Sequence, residues 1–358
     1  MTPSESEAIK ICRVLCIFFM SYVHVNPGLD SFAGELPAHL ALLESVFSDV
    51  LGRASVPALS VLGGFLAVTA YARRRNWAVY ARERWQTLMI PLISWNAVII
   101  LLSVLIWLTS GAQTAVLREL PSLQWVELPL LLDRLTAYNY GSATTALNFL
   151  RDIFVCSLLL PALLMLLRYT GAAGLALLWL VGLTLGFAPV VMRPAILMFF
   201  GAGIYLGLQG SLFRPSLGTL SKLSVALLLP LALVGLAPLF AGEYRDNAAD
   251  TLSRLLVSGA FLLAAYGLSR VSVDNLLVRL EPMIYLMFLA HASIMLVFWG
   301  IWQKAMGSGL EWPYGLFYIS APLATLLAVA MLYRCLAYAP AILQHALTGK
   351  PCTDLARP

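Results

Sequence analysis

Ten long apolar segments recur along this chain of 358 residues, and each is about long enough to cross a lipid bilayer as a helix. Hydrophobic residues make up 60% of the chain and charged residues 11%, whereas a soluble domain has about 25% charged residues. Because so few charges cannot cover a water-exposed surface, a soluble enzyme, a disordered chain and a secreted disulfide scaffold are excluded. The composition predicts an all-α polytopic membrane protein with about ten transmembrane helices in one bundle. The predicted spans are residues 9–27, 53–72, 86–109, 147–168, 172–190, 194–210, 221–241, 252–269, 281–302 and 314–338.

The distribution of basic residues predicts how these helices are oriented. With the N-terminus in the cytoplasm, fifteen of the 23 lysines and arginines fall on the cytoplasmic side and eight on the other. That bias follows the positive-inside rule and, with an even number of spans, places both termini in the cytoplasm. We therefore expect one transmembrane domain over residues 1–351 and a short cytoplasmic tail over 352–358. The net charge of +5 is then explained by topology, and a nucleic-acid partner is not expected.

Two ionisable residues of the first span, Arg13 and His24, are predicted to lie on one helix face. Eleven helical steps of about 100° return to within about 20° of the same direction, about 16 Å further along the axis. Ionisable groups inside a membrane are costly, so each is a candidate functional residue. His24 could act as a general base on a hydroxyl or could simply pack against a neighbouring carbonyl. Arg13 could equally extend to the cytoplasmic interface.

A cluster of arginines follows the second span on the predicted cytoplasmic side. Guanidinium groups match the geometry of phosphates, so the cluster could bind a phosphorylated ligand. A topology determinant that also contacts anionic lipid headgroups is the simpler interpretation, and the charge count alone favours it. The five arginines are Arg73, Arg74, Arg75, Arg82 and Arg84.

Three further polar groups lie in or beside predicted spans. Arg53 opens the second span, ahead of the paired glycines Gly63 and Gly64, which favour close helix packing. The adjacent Arg151 and Asp152 open the fourth span, where Asp152 could orient an imidazole or the two residues could form a structural ion pair. A second intramembrane histidine is His291 in the ninth span, where a packing role and a functional role are both open.

Several well-known catalytic patterns are absent from the sequence. It has no phosphate-binding GxxxxGKS loop, no GxSxG nucleophile elbow, no HExxH helix and no metal-ligand cluster. The sequence therefore favours neither an ATPase, a serine hydrolase nor a zinc protease, and no metal is expected.

Taken together, these patterns resemble the acyltransferase-3 family of integral membrane O-acyltransferases. Arg13 and His24, with ten residues between them, resemble the basic residue and histidine of the family's first helix. The similarity extends over roughly residues 8–351, with glycine at position 63 where serine is common and asparagine at 148 where tryptophan is common. Within the family, the chain is most similar to bacterial succinyltransferases of glucans and exopolysaccharides. The other matching motifs are Arg53…Pro57…Gly64-Phe65, Arg73-Arg74-Arg75, Asn148-Phe149-Leu150 and Tyr285…His291.

The resemblance implies a multi-pass protein of the bacterial inner membrane that transfers an acyl group to a hydroxyl of a periplasmic or exported glycan. The donor would be a cytoplasmic acyl-CoA, with succinyl-CoA favoured and acetyl-CoA next. Membrane lipids, a homo-oligomer or a glycan-synthesis complex are the further partners to expect.

The resemblance also suggests a role for each candidate residue. His24 would act as general base or carry the acyl group itself. Asp152, Asp30 or Asp49 would set its tautomer, and Asp152 is preferred. Donor phosphates would be held by Arg73, Arg75 and Arg82, and a phosphate or the acyl carboxylate by Arg13. Arg53 or Arg151 would stabilise the oxyanion or recognise a succinyl carboxylate, and Arg151, His291 and Asp30 are the candidate substrate-binding residues.

Two other classes of function remain open at this point. A transporter or flippase for a glycan-related substrate would use His24 and His291 as polar relay groups. A structural partner in a glycan-synthesis complex would need neither histidine for chemistry.

Overall fold

The computed structural model describes residues 3–25, 37–74, 76–110, 128–138, 141–212, 248–271, 276–307 and 312–352. These residues form helices joined by short connections, and none of them lies in a β-strand. The all-α fold class is therefore confirmed. Asp30, Arg75, the predicted span 221–241 and the tail beyond Cys352 lie outside the described residues.

The helices follow the order of the predicted spans. The first is continued by a 3₁₀ turn, Tyr22–His24, and two π-helical segments, Glu44–Gly52 and Trp85–Met89, lead into later helices. The α-helices are α1 (Pro3–Ser21), α2 (Ala38–Leu43), α3 (Arg53–Arg74), α4 (Trp77–Arg84), α5 (Ile90–Ser110), α6 (Leu128–Thr136), α7 (Asn148–Leu158), α8 (Leu160–Thr170), α9 (Ala172–Thr184), α10 (Pro194–Leu208), α11 (Ala248–Val271), α12 (Leu276–Met306), α13 (Trp312–Ala337) and α14 (Ala341–Thr348).

Each predicted span within the described residues overlaps a helix, but fewer than ten helices can cross a membrane by length and composition. Five helical stretches meet that requirement, and a bent pair makes a sixth. Helix α1 carries four charged residues among its 19, and α9 and α10 have only 13 and 15 residues. The chain is a polytopic membrane protein, and the count of ten stays a prediction.

The predicted fourth span is broken into α7 and α8, which bend by 60° at Leu159. Pro161 lies in the first turn of α8 and has no N–H to donate, so one continuous helix would lose a backbone hydrogen bond there. Before the break, the N-terminal part of α7 contacts the loop before α10 through Arg151 and Asp152.

Among the described helices, α3 and α10 approach each other so closely that two glycines are needed between them. A Cβ added at Gly64 would overlap the backbone of Phe200, and one added at Gly203 would overlap the backbone of Val61. At Gly63 a Cβ would instead meet only side chains, the nearest atom 3.6 Å away. Gly64 therefore has the packing role expected of the paired glycines, as small residues do between membrane helices.

Helix α1 lies at the centre of the bundle. It contacts α3, α11, α12 and the π-helical segment Glu44–Gly52. Its buried residues divide between two apolar clusters, so one side packs on α12 and the other on α3 and α11. Arg13, within α1, and His24, in the turn that extends it, therefore lie among α3, α11 and α12.

Candidate active site

His24 lies in the 3₁₀ turn that extends α1, and its half-buried side chain lines a cavity of about 410 Å³. We call this space the His24 cavity. Its walls come from the end of α1, the start of α3, the end of α9, the start of α10 and the start of α11. The volume lies within the usual range for a small-molecule site.

A second histidine faces His24 from α12. The imidazole centroids of His24 and His291 are 5.2 Å apart, and His291 is fully buried. Nδ1 of His291 lies 2.8 Å from the carbonyl oxygen of Phe288, while its Nε2 is buried and makes no hydrogen bond within the described residues. Because a carbonyl only accepts, Nδ1 carries the proton of the neutral ring and Nε2 presents a lone pair.

Three arginines share the His24 cavity with His24: Arg53 from α3, Arg193 from the loop before α10, and Arg254 from α11. Arg53 and Arg193 both interact electrostatically with His24. Guanidinium groups in this position can stabilise negative charge that develops on an oxygen beside the imidazole. Arg53 was predicted from the sequence, whereas Arg193 and Arg254 were not.

Asp152 is held in a buried cluster with Arg151 and the loop before α10. Its Oδ1 accepts hydrogen bonds from Arg151 Nη1 at 2.8 Å and from the Met192 backbone N–H at 3.1 Å. Its Oδ2 accepts one from the Arg193 backbone N–H at 3.1 Å. The carboxylate thus fixes the loop that carries Arg193, and none of these hydrogen bonds reaches the His24 imidazole. This geometry favours a positioning role in place of the tautomer-setting role expected for Asp152.

Arg151 fixes the same loop through its guanidinium group. Besides Asp152, it donates hydrogen bonds to the carbonyl oxygens of Val190 at 2.7 Å and Pro189 at 3.2 Å. Its side chain is 8% exposed. Because its donors are directed at backbone carbonyls inside the protein, the structure favours a structural role for Arg151 over the predicted contact with substrate.

A second cavity, of about 290 Å³, lies nearer the N-terminal end of α1 and is lined by Arg13. We call it the Arg13 cavity. The guanidinium group of Arg13 pairs with Glu281 of α12 at 2.5 Å, so its charge is partly balanced by protein. Arg84, Tyr80 and Tyr285 also line this space.

The predicted arginine cluster, at the end of α3 and in α4, is only partly directed towards this cavity. Arg73 and Arg82 are exposed to solvent, and Arg74 pairs with Glu83 at 2.7 Å. Arg84 lines the Arg13 cavity and lies over the ring of Tyr80, with 5.2 Å from its Cζ to the ring centroid. The resemblance suggested Arg73, Arg75 and Arg82 for the donor phosphates, whereas the geometry favours Arg84, two residues from Arg82, because Arg84 lines this cavity.

The two cavities lie end to end between the same pair of helices. On α1, Ile17 lines the Arg13 cavity and Met20 lines the His24 cavity. On α3, Leu59 lines the Arg13 cavity and Val56 lines the His24 cavity. Three residues of helix correspond to about 4.5 Å, so little more than one layer of apolar side chains separates the two spaces. A molecule longer than either cavity would need to displace only that layer to occupy both.

Comparisons with known proteins show which family the chain belongs to. Residues 6–334 match the acyltransferase domain of the acyltransferase-3 family. The chain is 27% identical over 342 residues to the succinoglycan biosynthesis protein ExoH of Rhizobium meliloti (strain 1021), covering 93% of this chain and 88% of that protein. No solved structure matches. Because the family match covers almost the whole chain, the protein belongs to the acyltransferase-3 family of membrane acyltransferases.

Proposed function

We propose that this protein transfers an acyl group from acyl-CoA to a hydroxyl of a glycan, with His24 at the reaction centre. The observation that carries the proposal is the His24 cavity, where a half-buried imidazole shares a 410 Å³ space with three arginines. Family membership supplies the acyl-transfer chemistry and an acyl donor. The similarity to a succinoglycan biosynthesis protein supports a polysaccharide acceptor and a succinyl group.

In the proposed reaction, a nitrogen of His24 takes the proton of the acceptor hydroxyl while the oxygen attacks the thioester carbonyl carbon. The carbonyl oxygen becomes an oxyanion beside Arg53 and Arg193. When the carbon–sulfur bond breaks, coenzyme A leaves and takes up the proton from His24. In the alternative order, His24 attacks the thioester first and an acylated imidazole passes the acyl group to the hydroxyl.

His291 is the group we propose to position His24. Its Nε2 lone pair can accept a hydrogen bond from one nitrogen of His24, which leaves the other nitrogen unprotonated and ready to act as base. The sequence analysis listed His291 as a substrate-binding residue and Asp152 as the residue that sets the tautomer of His24. In this proposal, His291 sets that tautomer instead and does not contact the substrate.

The Arg13 cavity is the proposed site for part of the donor. Arg84 and Arg13 offer charge-assisted hydrogen bonds to phosphate oxygens. The acyl end of the donor would then pass the apolar layer and reach His24. A donor entering from the cytoplasm requires the Arg13 end of α1 to face inward, in line with the expected cytoplasmic termini and a bacterial inner-membrane location.

Purified protein in detergent or nanodiscs tests the proposal directly. With succinyl-CoA or acetyl-CoA and a glycan oligosaccharide, free coenzyme A and acylated oligosaccharide should appear together, in equal amounts. A transporter or flippase would leave the thioester intact, so an absence of coenzyme A release from folded protein would contradict the proposal. A donor with a labelled acyl group, supplied without acceptor, distinguishes the two reaction orders. Only the order in which His24 attacks the thioester first leaves labelled acyl group on His24.

A further inference from the structure

We propose that Arg53, Arg193 and Arg254 form a carboxylate-binding subsite of the His24 cavity, which selects donors whose acyl group ends in a carboxylate. This inference rests on the proposed function and deepens it, because it names the residues that determine donor specificity. Arg254 is its central element.

The three guanidinium groups come from three separate parts of the fold and converge on one space. Arg53 begins α3, Arg193 precedes α10, and Arg254 lies in the second turn of α11. All three line the His24 cavity. Among the described lining residues, none carries a carboxylate, so the charged part of this wall is basic.

Protein contacts hold two of these arginines in place. Arg53 pairs through Nε with Asp49 at 2.9 Å, and Arg254 pairs with Asp250 at 2.5 Å. Their side chains are only 25% and 16% exposed. Neither aspartate lines the cavity, so each orients its arginine without becoming part of the wall.

Helix α11 is also fixed to the start of α3. The hydroxyl of Ser258, one turn beyond Arg254, donates a hydrogen bond to the carbonyl oxygen of Ala54 at 3.0 Å. Ala54 follows Arg53 directly. This bond sets the register of the two helices where the two guanidinium groups approach the cavity. Asp152 fixes Arg193 by its backbone, as described above.

The remaining walls suit a short methylene chain. Met20, Val56, Pro57 and Ile196 are apolar and line the space around His24. A thioester carbonyl at His24 would lie beside Arg53 and Arg193, and the short acyl tail would run among these apolar residues. Its terminal carboxylate would then reach Arg254 and the guanidinium donors of the other two arginines that do not face the carbonyl. Planar guanidinium forks bind carboxylates with two parallel hydrogen bonds, whereas a neutral tail offers them neither a negative charge nor an acceptor oxygen. The site therefore discriminates by charge at the end of the acyl chain.

A carboxylate could also belong to an acidic sugar of the acceptor. The same chemistry would recognise it, so the experiment must vary donor and acceptor separately. Succinyl-CoA and butyryl-CoA have acyl chains of four carbons and differ in the terminal carboxylate. Acidic and neutral oligosaccharides make the corresponding acceptor pair.

The deciding variant is Arg254→Gln, assayed in the purified full-length protein. We expect the wild type to prefer succinyl-CoA over butyryl-CoA in kcat/KM, and the variant to lose at least about tenfold of that preference. The loss should fall on succinyl transfer, with butyryl transfer unchanged or raised. Arg254→Lys keeps the charge without the fork and should lose less.

Arg270→Gln is the matched control. It removes the same charge from the same helix, about 24 Å from Arg254, where the side chain is exposed and bonds to Tyr266. This variant should keep the donor preference of the wild type.

Two results would overturn the inference while leaving the proposed function intact. An equal fall for both donors would give Arg254 a general structural role. An unchanged donor preference combined with a selective loss on acidic acceptors would assign the carboxylate to the glycan. Failure of the wild type to transfer from either donor would instead contradict the proposed function itself. If Arg254→Gln does not yield folded protein, the donor ratio of Arg254→Lys decides, and an unchanged ratio there overturns the inference.

Discussion

His24 and His291 lie with their ring centroids 5.2 Å apart, although they come from the first helix and from α12 near the end of the chain. The pair brings one cavity-lining imidazole against one that is fully buried. The hydrogen bond of His291 Nδ1 to Phe288 fixes which nitrogen carries the proton, and so it determines what Nε2 can offer to His24. In many histidine bases a carboxylate fulfils this orienting function, as the sequence suggested for Asp152; we propose that a second histidine, His291, fulfils it here.

The positioning role of His291 predicts a difference between two substitutions. His291→Leu removes the Nε2 acceptor and should lower kcat about ten- to a hundredfold, with less than about a twofold change in KM for the donor. His291→Gln keeps an acceptor oxygen and should recover part of that loss. The measurement is steady-state transfer by the purified variants. Equal losses in both variants, with both proteins folded, would reduce His291 to a packing residue.

The position of Arg84 in the Arg13 cavity predicts a selective effect on donor binding. Arg84→Gln should raise KM for acyl-CoA by about tenfold, because a charge-assisted hydrogen bond to phosphate is lost. The matched control is Arg82→Gln, two residues away and exposed to solvent, which should change KM little. Donor titrations on both variants measure these KM values. A larger increase in KM for Arg82→Gln than for Arg84→Gln would show that the exposed arginines bind the donor.

The buried contacts of Asp152 predict a loss of both stability and activity. Asp152→Asn leaves Arg151 without its carboxylate and weakens two bonds to the loop before α10, which we expect to cost about 3–5 kcal/mol. Thermal unfolding in detergent measures the first effect. Because the loop also carries Arg193, the fraction that stays folded should show reduced turnover. An Asn variant with normal unfolding temperature and normal activity would contradict the positioning role.

The contact between α3 and α10 predicts opposite outcomes for two neighbouring glycines. Gly64→Ala should lower stability by about 1–3 kcal/mol, since the added methyl group overlaps the backbone of Phe200. Gly63→Ala should be tolerated, because its nearest neighbour would lie 3.6 Å away. Fluorescence-detected gel filtration after heating compares the two. Similar melting temperatures for both variants would show that the helices are further apart than described.

Much of the fold follows from composition and helical periodicity alone. Apolar segment length predicts the helices. The eleven-residue spacing predicts one shared face for Arg13 and His24, which the structure places in two neighbouring cavities beside α1 and its 3₁₀ extension. The length rule alone could not reveal that Pro161 breaks the fourth span, because an apolar helix with a proline bend has the same composition as a straight one.

The site was harder to predict because it depends on contacts between distant parts of the chain. Arg82 and Arg84 are two helical steps apart and so lie on nearly opposite faces of α4, and only the packing of α4 shows that the face with Arg84 meets the bundle. Arg193 ends the short loop before α10, and Arg254 forms an ordinary i,i+4 pair with Asp250. Such local patterns are typical of many helix ends, and only the packing of α10 and α11 against α3 shows that both residues line one cavity.

The most direct measurement of the central proposal is acyl transfer by purified His24→Ala and His24→Gln variants, with His39→Ala as control. His39 is an exposed histidine in the short helix α2. We expect both His24 variants to fold like the wild type in gel filtration and to lose at least about a hundredfold in kcat, while the control keeps its activity. Mass spectrometry of the product glycan should show the acyl mass increment with wild type and control only. A well-folded His24→Ala protein that still acylates glycan at the wild-type rate would contradict the assignment of His24 to the reaction centre.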